Sequence, residues 1–234
     1  MKFLLNPNSF QNITNLLFKP IVIVSLVLLI LGLIFSFYLS PNDYQQGSTV
    51  RIMYIHVPSA WISLMTYMIM VIYSIVALAF RIPFGFIINT AVAPIGAVFT
   101  LICIITGSLW GKPMWGTWWV WDARLTSVAI LFIIYLIIIF INNSFENRAV
   151  REKIVAIFIL IGSVNLPIIK FSVDWWSTLH QPASISLAKS SIHPTMLVPL
   201  VIMTAAFVLF SVLIFLMKYN TELIKIKNKG LDRL

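Results

Sequence analysis

Six runs of mostly apolar residues divide this chain, and each is long enough to cross a lipid bilayer as a helix. The hydrocarbon core of a membrane is about 30 Å thick, which needs about 20 helical residues. The runs lie at approximately 21–40, 57–80, 86–109, 125–142, 154–170 and 194–217. Apart from Lys170 at one edge, none contains Asp, Glu, Lys, Arg or His. We therefore expect an all-α fold, in which residues 1–234 form a single integral membrane domain of six transmembrane helices.

Composition supports this class of protein and narrows the function. Charged residues make up 10% of the chain, against about 25% in soluble domains. The first run follows Lys19, is too long for a cleaved signal and precedes no soluble domain, so it should remain as a span. The chain has no phosphate-binding loop of the pattern G-x-x-x-x-G-K-[ST], so it should not hydrolyse nucleotides itself. The lack of an ionisable group at mid-membrane depth argues against a proton-coupled carrier.

The distribution of Lys and Arg predicts the orientation, because cytoplasmic connections carry the excess. With the amino terminus inside, five of the sixteen basic residues fall outside and the other eleven inside. The outer five are Arg51, Lys112, Arg124, Lys170 and Lys189. Both termini should therefore be cytoplasmic, with residues 218–234 forming a basic tail. The net charge of +9 is a topology signal and does not indicate nucleic-acid binding.

Tryptophan is confined to one side of the predicted bundle. Five of the eight tryptophans fall in the segment 110–124, which should form an outer loop. These five are Trp110, Trp115, Trp118, Trp119 and Trp121, and the other three are Trp61, Trp175 and Trp176, also at or beside the outer face. An aromatic belt would occupy both interfaces of the membrane. The cluster therefore indicates a platform for a large planar ligand.

The three histidines share this outer side. His56 precedes the second span, His180 lies in the third outer loop, and His193 begins the sixth span. A single interfacial histidine is more often structural than a ligand. Haem, however, is a broad apolar disc whose iron accepts imidazole axially. A histidine from each of two loops, beside the tryptophans, fits a haem site at the outer surface.

The two propionates at the polar edge of haem favour Arg or Lys as partners. Arg51, Lys112 and Arg124 are candidates to bind the two haem propionates. Zinc is a weaker candidate than haem as the ligand of this site. A structural zinc site usually has four Cys or His ligands. The only cysteine, Cys103, lies within the third span, where plain packing is its expected role.

Two residues have more than one reading. Asp122 is expected to cap the fourth span by accepting from free backbone amides, or to orient an indole or another loop donor, and both roles can hold together. Arg124 would pair with Asp122 or with lipid phosphate, or hold a ligand carboxylate.

Prolines such as Pro167, near the outer end of the fifth span, can bend a helix and shape a cavity under the outer loops.

Three motifs, in order along the chain, carry a resemblance to a known family. They are YIHVPSAW at 54–61, WGKPMWGTWWVWDARLTS at 110–127 and WWSTLHQ at 175–181. Together with six spans they resemble the heme exporter protein C family of the cytochrome c maturation system. The match covers nearly the whole chain. A tryptophan-rich loop alone would also admit larger haem-handling relatives, which have many more spans.

The resemblance implies a function that spacing does not show. Members of this family are thought to hold haem b at the outer face between the tryptophan-rich loop and two axial histidines, here His56 and His180. His193 matches no ligand position. The family passes haem to a membrane-anchored haem chaperone in the periplasm, and it is associated with ABC-type ATPase and permease subunits and a small membrane subunit. The implied protein is a haem-delivery component of the bacterial inner membrane, not an enzyme, although a mitochondrial inner membrane stays open.

Two other classes of function stay open on the residues alone. A cytochrome-b-like electron carrier would also bind haem through histidines, but such ligands normally lie within facing helices at membrane depth. A generic permease subunit would need a substrate path through the bundle. Reduction of a bound haem by quinol would favour the electron carrier, and flux in liposomes without haem dependence would favour the permease.

Overall fold

The computed structural model describes residues 7–80, 83–180, 184 and 191–231, and these residues form helices joined by short connections. The helices are α1 (Pro7–Ile34), α2 (Met53–Phe80), α3 (Pro83–Trp115), α4 (Ala123–Ser144), α5 (Arg148–Gly162), α6 (Asn165–Trp175) and α7 (Pro194–Leu231). A π-helical turn, Phe35–Leu39, extends α1, and a 3-10 turn, Ser48–Ile52, leads into α2. Lys189, counted on the outer side in the prediction of orientation, and the last three residues of the predicted tail lie outside the described residues.

Within the described part of the chain, six helical segments are long and apolar enough to cross a membrane, as predicted. They are Ser9–Leu39, Ser48–Phe80, Gly85–Trp115, Ala123–Ser144, Arg148–Trp175 and Pro194–Asn228. The predicted all-α, six-span fold is confirmed. The helices continue past the apolar runs, so the segment predicted as a loop at 110–124 is helical at both ends and only 116–122 is irregular.

Buried hydroxyl groups join the central helices. Tyr135 of α4 is fully buried, its hydroxyl donates to the carbonyl oxygen of Ser63 at 2.7 Å, and it lies 2.8 Å from the hydroxyl of Thr66. Tyr67 packs edge to face on Tyr135, with ring centroids 5.4 Å apart. Inside a membrane bundle an unpaired hydroxyl is costly, so these bonds fix how α2 faces α4.

The fifth span is broken in the middle, between α5 and α6. Pro167 has no amide hydrogen to donate to the carbonyl of Ser163, four residues back. That carbonyl instead accepts from Leu166 at 3.1 Å, in a tighter turn. The interpretation of Pro167 as a helix-bending residue is therefore supported by the break that precedes it.

The two halves of the fifth span form hydrogen bonds with different neighbours. The hydroxyl of Tyr67 in α2 donates to the carbonyl of Ile159 in α5 at 3.0 Å. A Cβ at Gly162, the last residue of α5, would clash with that same tyrosine hydroxyl, so α5 approaches α2 closely only because this residue is glycine. After the break, the amide of Asn165 donates to the carbonyl of Ser127 at 2.8 Å and joins α6 to α4.

Alternation of the six spans brings the chemically distinctive residues to one end of the bundle. We call the end where α2 begins, α3 ends and α4 begins the site end. All eight tryptophans lie there, as do His56, His180 and His193. The common location of indoles and imidazoles therefore follows from the order of the helices.

Candidate functional site

A cavity of about 370 Å³ opens at the site end, and both His56 and His180 line it. Its walls come from α2, α3, α4 and α6 and from the segment that follows α6. The lining is largely apolar and aromatic, a composition typical of small-molecule and cofactor sites. The structure therefore brings the two predicted axial histidines, 124 positions apart in sequence, to one cavity.

The imidazole of His56 is held from behind by α3. Its Nδ1 lies 3.1 Å from the carbonyl oxygen of Cys103 and 3.1 Å from the hydroxyl of Thr106. An Nδ1–H that donates to the Cys103 carbonyl leaves Nε2 as the unprotonated nitrogen. A carbonyl behind the ring is the usual support of a metal-binding histidine. The sequence placed His56 just before the second span, whereas the structure places it in the first turn of α2.

A glycine makes room for this ring. A Cβ added at Gly107 of α3 would lie 3.1 Å from Cε1 of His56. That distance is tighter than ordinary van der Waals contact, so any side chain there would push the imidazole. The ring also packs edge to face on Trp110, with centroids 5.7 Å apart.

His180 is half-buried and less firmly held. Its ring contacts Trp115 at a centroid distance of 4.9 Å. Its Nδ1 is buried and has no hydrogen-bond partner among the described residues, and the nearest carboxylate oxygen, Oδ2 of Asp122, is 3.9 Å away. The pKa of His180 is lowered to about 4: burial is the main cause, the charge of Arg124 acts in the same direction, and Asp122 opposes both. The imidazole is therefore neutral at physiological pH and able to bind a metal ion.

Asp122 fulfils both of the roles expected for it. One carboxylate oxygen accepts from the backbone amide of Leu125 at 2.7 Å and caps α4. The other accepts from the amide of Leu179 at 3.2 Å. Because Leu179 precedes His180, the cap of α4 also anchors the segment that carries the second histidine.

The tryptophans divide into two groups. Trp110, Trp115 and Trp119 line the cavity together with Trp61. The indole N–H of Trp119 is buried without a partner among the described residues, so it is available to a ligand. The others face outward, with Trp118 55%, Trp121 79%, Trp175 56% and Trp176 49% exposed. The predicted platform is thus part cavity wall and part exposed aromatic surface.

The predicted cations also separate. Arg124 lines the cavity, and its guanidinium donates to the hydroxyl of Ser172 at 3.0 Å, against α6. Arg51 and Lys112 are not among the lining residues: Arg51 lies 3.4 Å from the side-chain oxygen of Asn42, and Lys112 donates to the carbonyl of Gly116 at 3.0 Å.

His193 has a local role in the structure. It is exposed, and its Nδ1 lies 2.8 Å from the hydroxyl of Thr195 in the first turn of α7. Its carbonyl accepts from the amides of Met196 and Leu197. The residue immediately precedes α7 and does not line the cavity.

Sequence reasoning missed several polar residues of the cavity, among them Gln46 and Lys170. Gln46 lies in the connection before α2, and its side-chain oxygen accepts from the indole N–H of Trp110 at 3.0 Å. Lys170 lines the cavity from α6 and is exposed. In the sequence, Lys170 is only a charge at the edge of a span. Nothing in the sequence pairs Gln46 with Trp110, which lies 64 positions away.

Fold and cavity together define a class: a polytopic membrane protein with an aromatic, histidine-flanked cavity at one end of its bundle. The model of the family described as heme exporter protein C matches residues 1–233. The chain is 44% identical over 230 residues to heme exporter protein C of Bradyrhizobium diazoefficiens, covering 98% of this chain and 87% of the relative. It is 43% identical over 209 residues to heme exporter protein C of Escherichia coli K12, covering 89% and 84%.

A mitochondrial relative widens the set of host membranes. A ccmC-like mitochondrial protein of cytochrome c biosynthesis from Marchantia polymorpha is 48% identical over 183 residues, 78% of each chain. The chain belongs to the heme exporter protein C family, as its three motifs predicted. It is a multi-pass membrane protein of the haem-handling branch of cytochrome c biogenesis.

Proposed function

We propose that the cavity binds haem b with His56 and His180 as axial ligands and passes it to a membrane-anchored haem chaperone. The observation that carries the proposal is that both imidazoles line one cavity. The Nδ1 of His56 is committed to α3, which leaves Nε2 for iron. If His180 binds iron through Nε2, a small rotation would let its Nδ1–H reach Asp122, now 3.9 Å away.

The donor set fits haem. Indole faces and aliphatic side chains would cover the macrocycle, and two neutral imidazoles would satisfy the iron. The propionates would meet Arg124 and Lys170, the two cations among the lining residues. Arg51 and Lys112 stay as predictions for contacts at the surface of the site. When bound, the haem would be cargo for delivery, so we propose no enzymatic turnover by this chain alone.

The exposed tryptophans support a separate docking role. Trp118 and Trp121 project from the connection beside the cavity, and aromatic side chains are favoured where proteins contact one another. We place the chaperone on this surface. The excess of basic residues at the opposite end supports an orientation with the site facing the periplasm of a bacterial inner membrane. ABC-type ATPase and permease subunits and a small membrane subunit would complete the complex.

The visible spectrum of protein purified from haem-replete cells tests the ligands. We expect the low-spin spectrum of bis-histidine haem, which His56→Ala or His180→Ala converts to a weaker or high-spin form. His193→Ala is the matched control, because His193 only precedes α7. A low-spin spectrum that survives both ligand substitutions would show that the axial assignment is wrong.

A further inference from the structure

The break in the fifth span leaves one side of the cavity without a covering helix among the residues that the structure describes. The first half, α5, is joined to α2 through Tyr67 and Ile159. The second half, α6, is joined instead to α4 through Asn165 and Ser127. Among the described helices α6 packs mainly on α4, so no helix half closes the space between α6 and the site end of α2.

The wall formed by α2, α3 and α4 is continuous. Helix α2 packs along α3, and α3 packs on α4, which forms a continuous back wall. Toward the membrane interior, α5 packs on both α2 and α4, although none of its residues lines the cavity. Among the described helices, α2 and α6 lack comparable packing on each other, so the side between them is the candidate opening within the transmembrane part of the bundle.

Residues that both line the cavity and are exposed mark its rim. They are Trp61 of α2, Met114 of α3, Lys170 of α6 and Leu179. Trp61, 41% exposed, stands on one side of the open space and Lys170 on the other. Trp61 lies about 12 Å along α2 from its first residue, at a rise of about 1.5 Å per residue. The rim thus extends from the site end down into the span.

We propose that haem enters and leaves the cavity sideways, through the opening between α2 and α6, from the lipid of the same leaflet. This inference rests on the proposed function, because haem is the ligand it concerns. A macrocycle is apolar and partitions into lipid, while its propionates stay at the polar interface. The cavity offers an apolar part for the macrocycle, because Ala60, Leu64 and Val128 line it within the span.

Lys170 suits the polar side of such an opening. A lysine on a membrane helix extends its ammonium toward the interface while its methylene stem stays against apolar surface. Here it could accompany the propionates while the macrocycle slides between the helices. Because Lys170 also lines the cavity, the haem propionates could stay paired with its ammonium group while haem enters.

A reversible cross-link across the opening tests the proposal. Trp61→Cys and Lys170→Cys are combined in a Cys103→Ala background, which leaves only the two introduced thiols. The protein is reconstituted in nanodiscs and bridged with cleavable bis-maleimides of several lengths. Haem uptake from haemin-loaded liposomes is followed by the visible spectrum, with the unbridged double variant as reference and each single-cysteine variant as reagent control.

We expect bridging before loading to slow uptake by at least about tenfold, and cleavage of the bridge to restore it. Bridging after loading should retain haem against extraction by apomyoglobin. Uptake that is equally fast with the bridge closed would overturn the lateral route while leaving haem binding intact. If the unsubstituted protein in the same nanodiscs shows no histidine-ligated spectrum, the proposed function itself fails.

A second measurement does not depend on bridging. Trp61→Ala should widen the opening and accelerate both uptake from liposomes and extraction by apomyoglobin. Trp176→Ala, an exposed tryptophan outside the cavity lining, is the matched control. Equal rates for the two variants would count against the opening at Trp61.

Discussion

The carboxylate of Asp122 accepts a hydrogen bond from the backbone amide of Leu179, 57 positions away, at 3.2 Å. The same carboxylate caps α4 through Leu125. One side chain therefore ties the start of a membrane helix to the segment that carries His180. The stability of α4 and the position of a proposed haem ligand are coupled through it.

Asp122→Asn should separate these two functions. Asparagine caps helices about as well as aspartate, so thermal unfolding should change little. Loss of the negative charge behind His180 should nevertheless weaken haem binding by about 10- to 100-fold, as for other outer-shell partners of metal-binding histidines. Haem titration and thermal denaturation of the same samples measure both effects, and Asp122→Ala should lower both quantities. Unchanged haem affinity in both variants would contradict the coupling.

Gly107→Ala should disturb the other ligand. The added methyl group would lie 3.1 Å from Cε1 of His56 and displace the ring from its bond to Cys103. We expect a shift from low-spin toward high-spin haem, read from the visible spectrum. Gly32→Ala is the matched control, because its methyl group would meet the flexible side chain of Met203, and neither Gly32 nor Met203 lines the cavity. If the two spectra are the same, Gly107 does not position His56.

The two groups of tryptophans should have separable roles. Replacing Trp115 and Trp119 with Ala removes cavity wall and should abolish haem retention. Replacing the exposed Trp118 and Trp121 should preserve the bound spectrum but reduce transfer to the purified chaperone. Visible spectra and rates of haem transfer are measured for both double variants. Unchanged membrane insertion of each variant is the common control. Loss of retention in both pairs would argue against a distinct docking surface.

Haem retention should depend weakly on pH above about 5. Iron binds neutral imidazole, and burial lowers the pKa of His180 to about 4, so protons should compete with iron only as the pH falls toward that value. An exposed histidine, with a pKa of about 6.5, would be protonated and release the iron at a higher pH. The low-spin band, titrated from pH 8 to 4 and back, measures this. A midpoint near 6.5 would contradict the burial of His180.

The same shift has a defined sign for the stability of the haem-free protein. Because the pKa of His180 is lower in the folded than in the unfolded state, the unfolded state binds a proton first as the pH falls. Stability should therefore decrease between about pH 6.5 and pH 4. Thermal unfolding of the protein and of His180→Ala across this range measures the contribution, which the substitution should remove.

The six spans could be predicted because crossing a bilayer depends on local apolar length, which is legible in any run of about 20 residues. The gathering of indoles and imidazoles at one end follows as well, since consecutive spans alternate in direction. The cap of α4 by Asp122 is equally local. These features depend on composition and order along the chain and not on how one helix is rotated against the next.

Contacts between helices could not be predicted in this way. The carbonyl of Cys103 behind His56, the bond from Trp110 to Gln46, and the division of the tryptophans into lining and exposed groups all depend on helix rotation. The same holds for the fifth span: Pro167 indicates a bend, but only close packing of Tyr67 at Gly162 and the bond from Asn165 decide that one half joins α2 and the other joins α4. Lipid accepts any apolar face equally, so partner choice is left to shape and to a few buried polar groups, and those become neighbours only when the bundle is assembled.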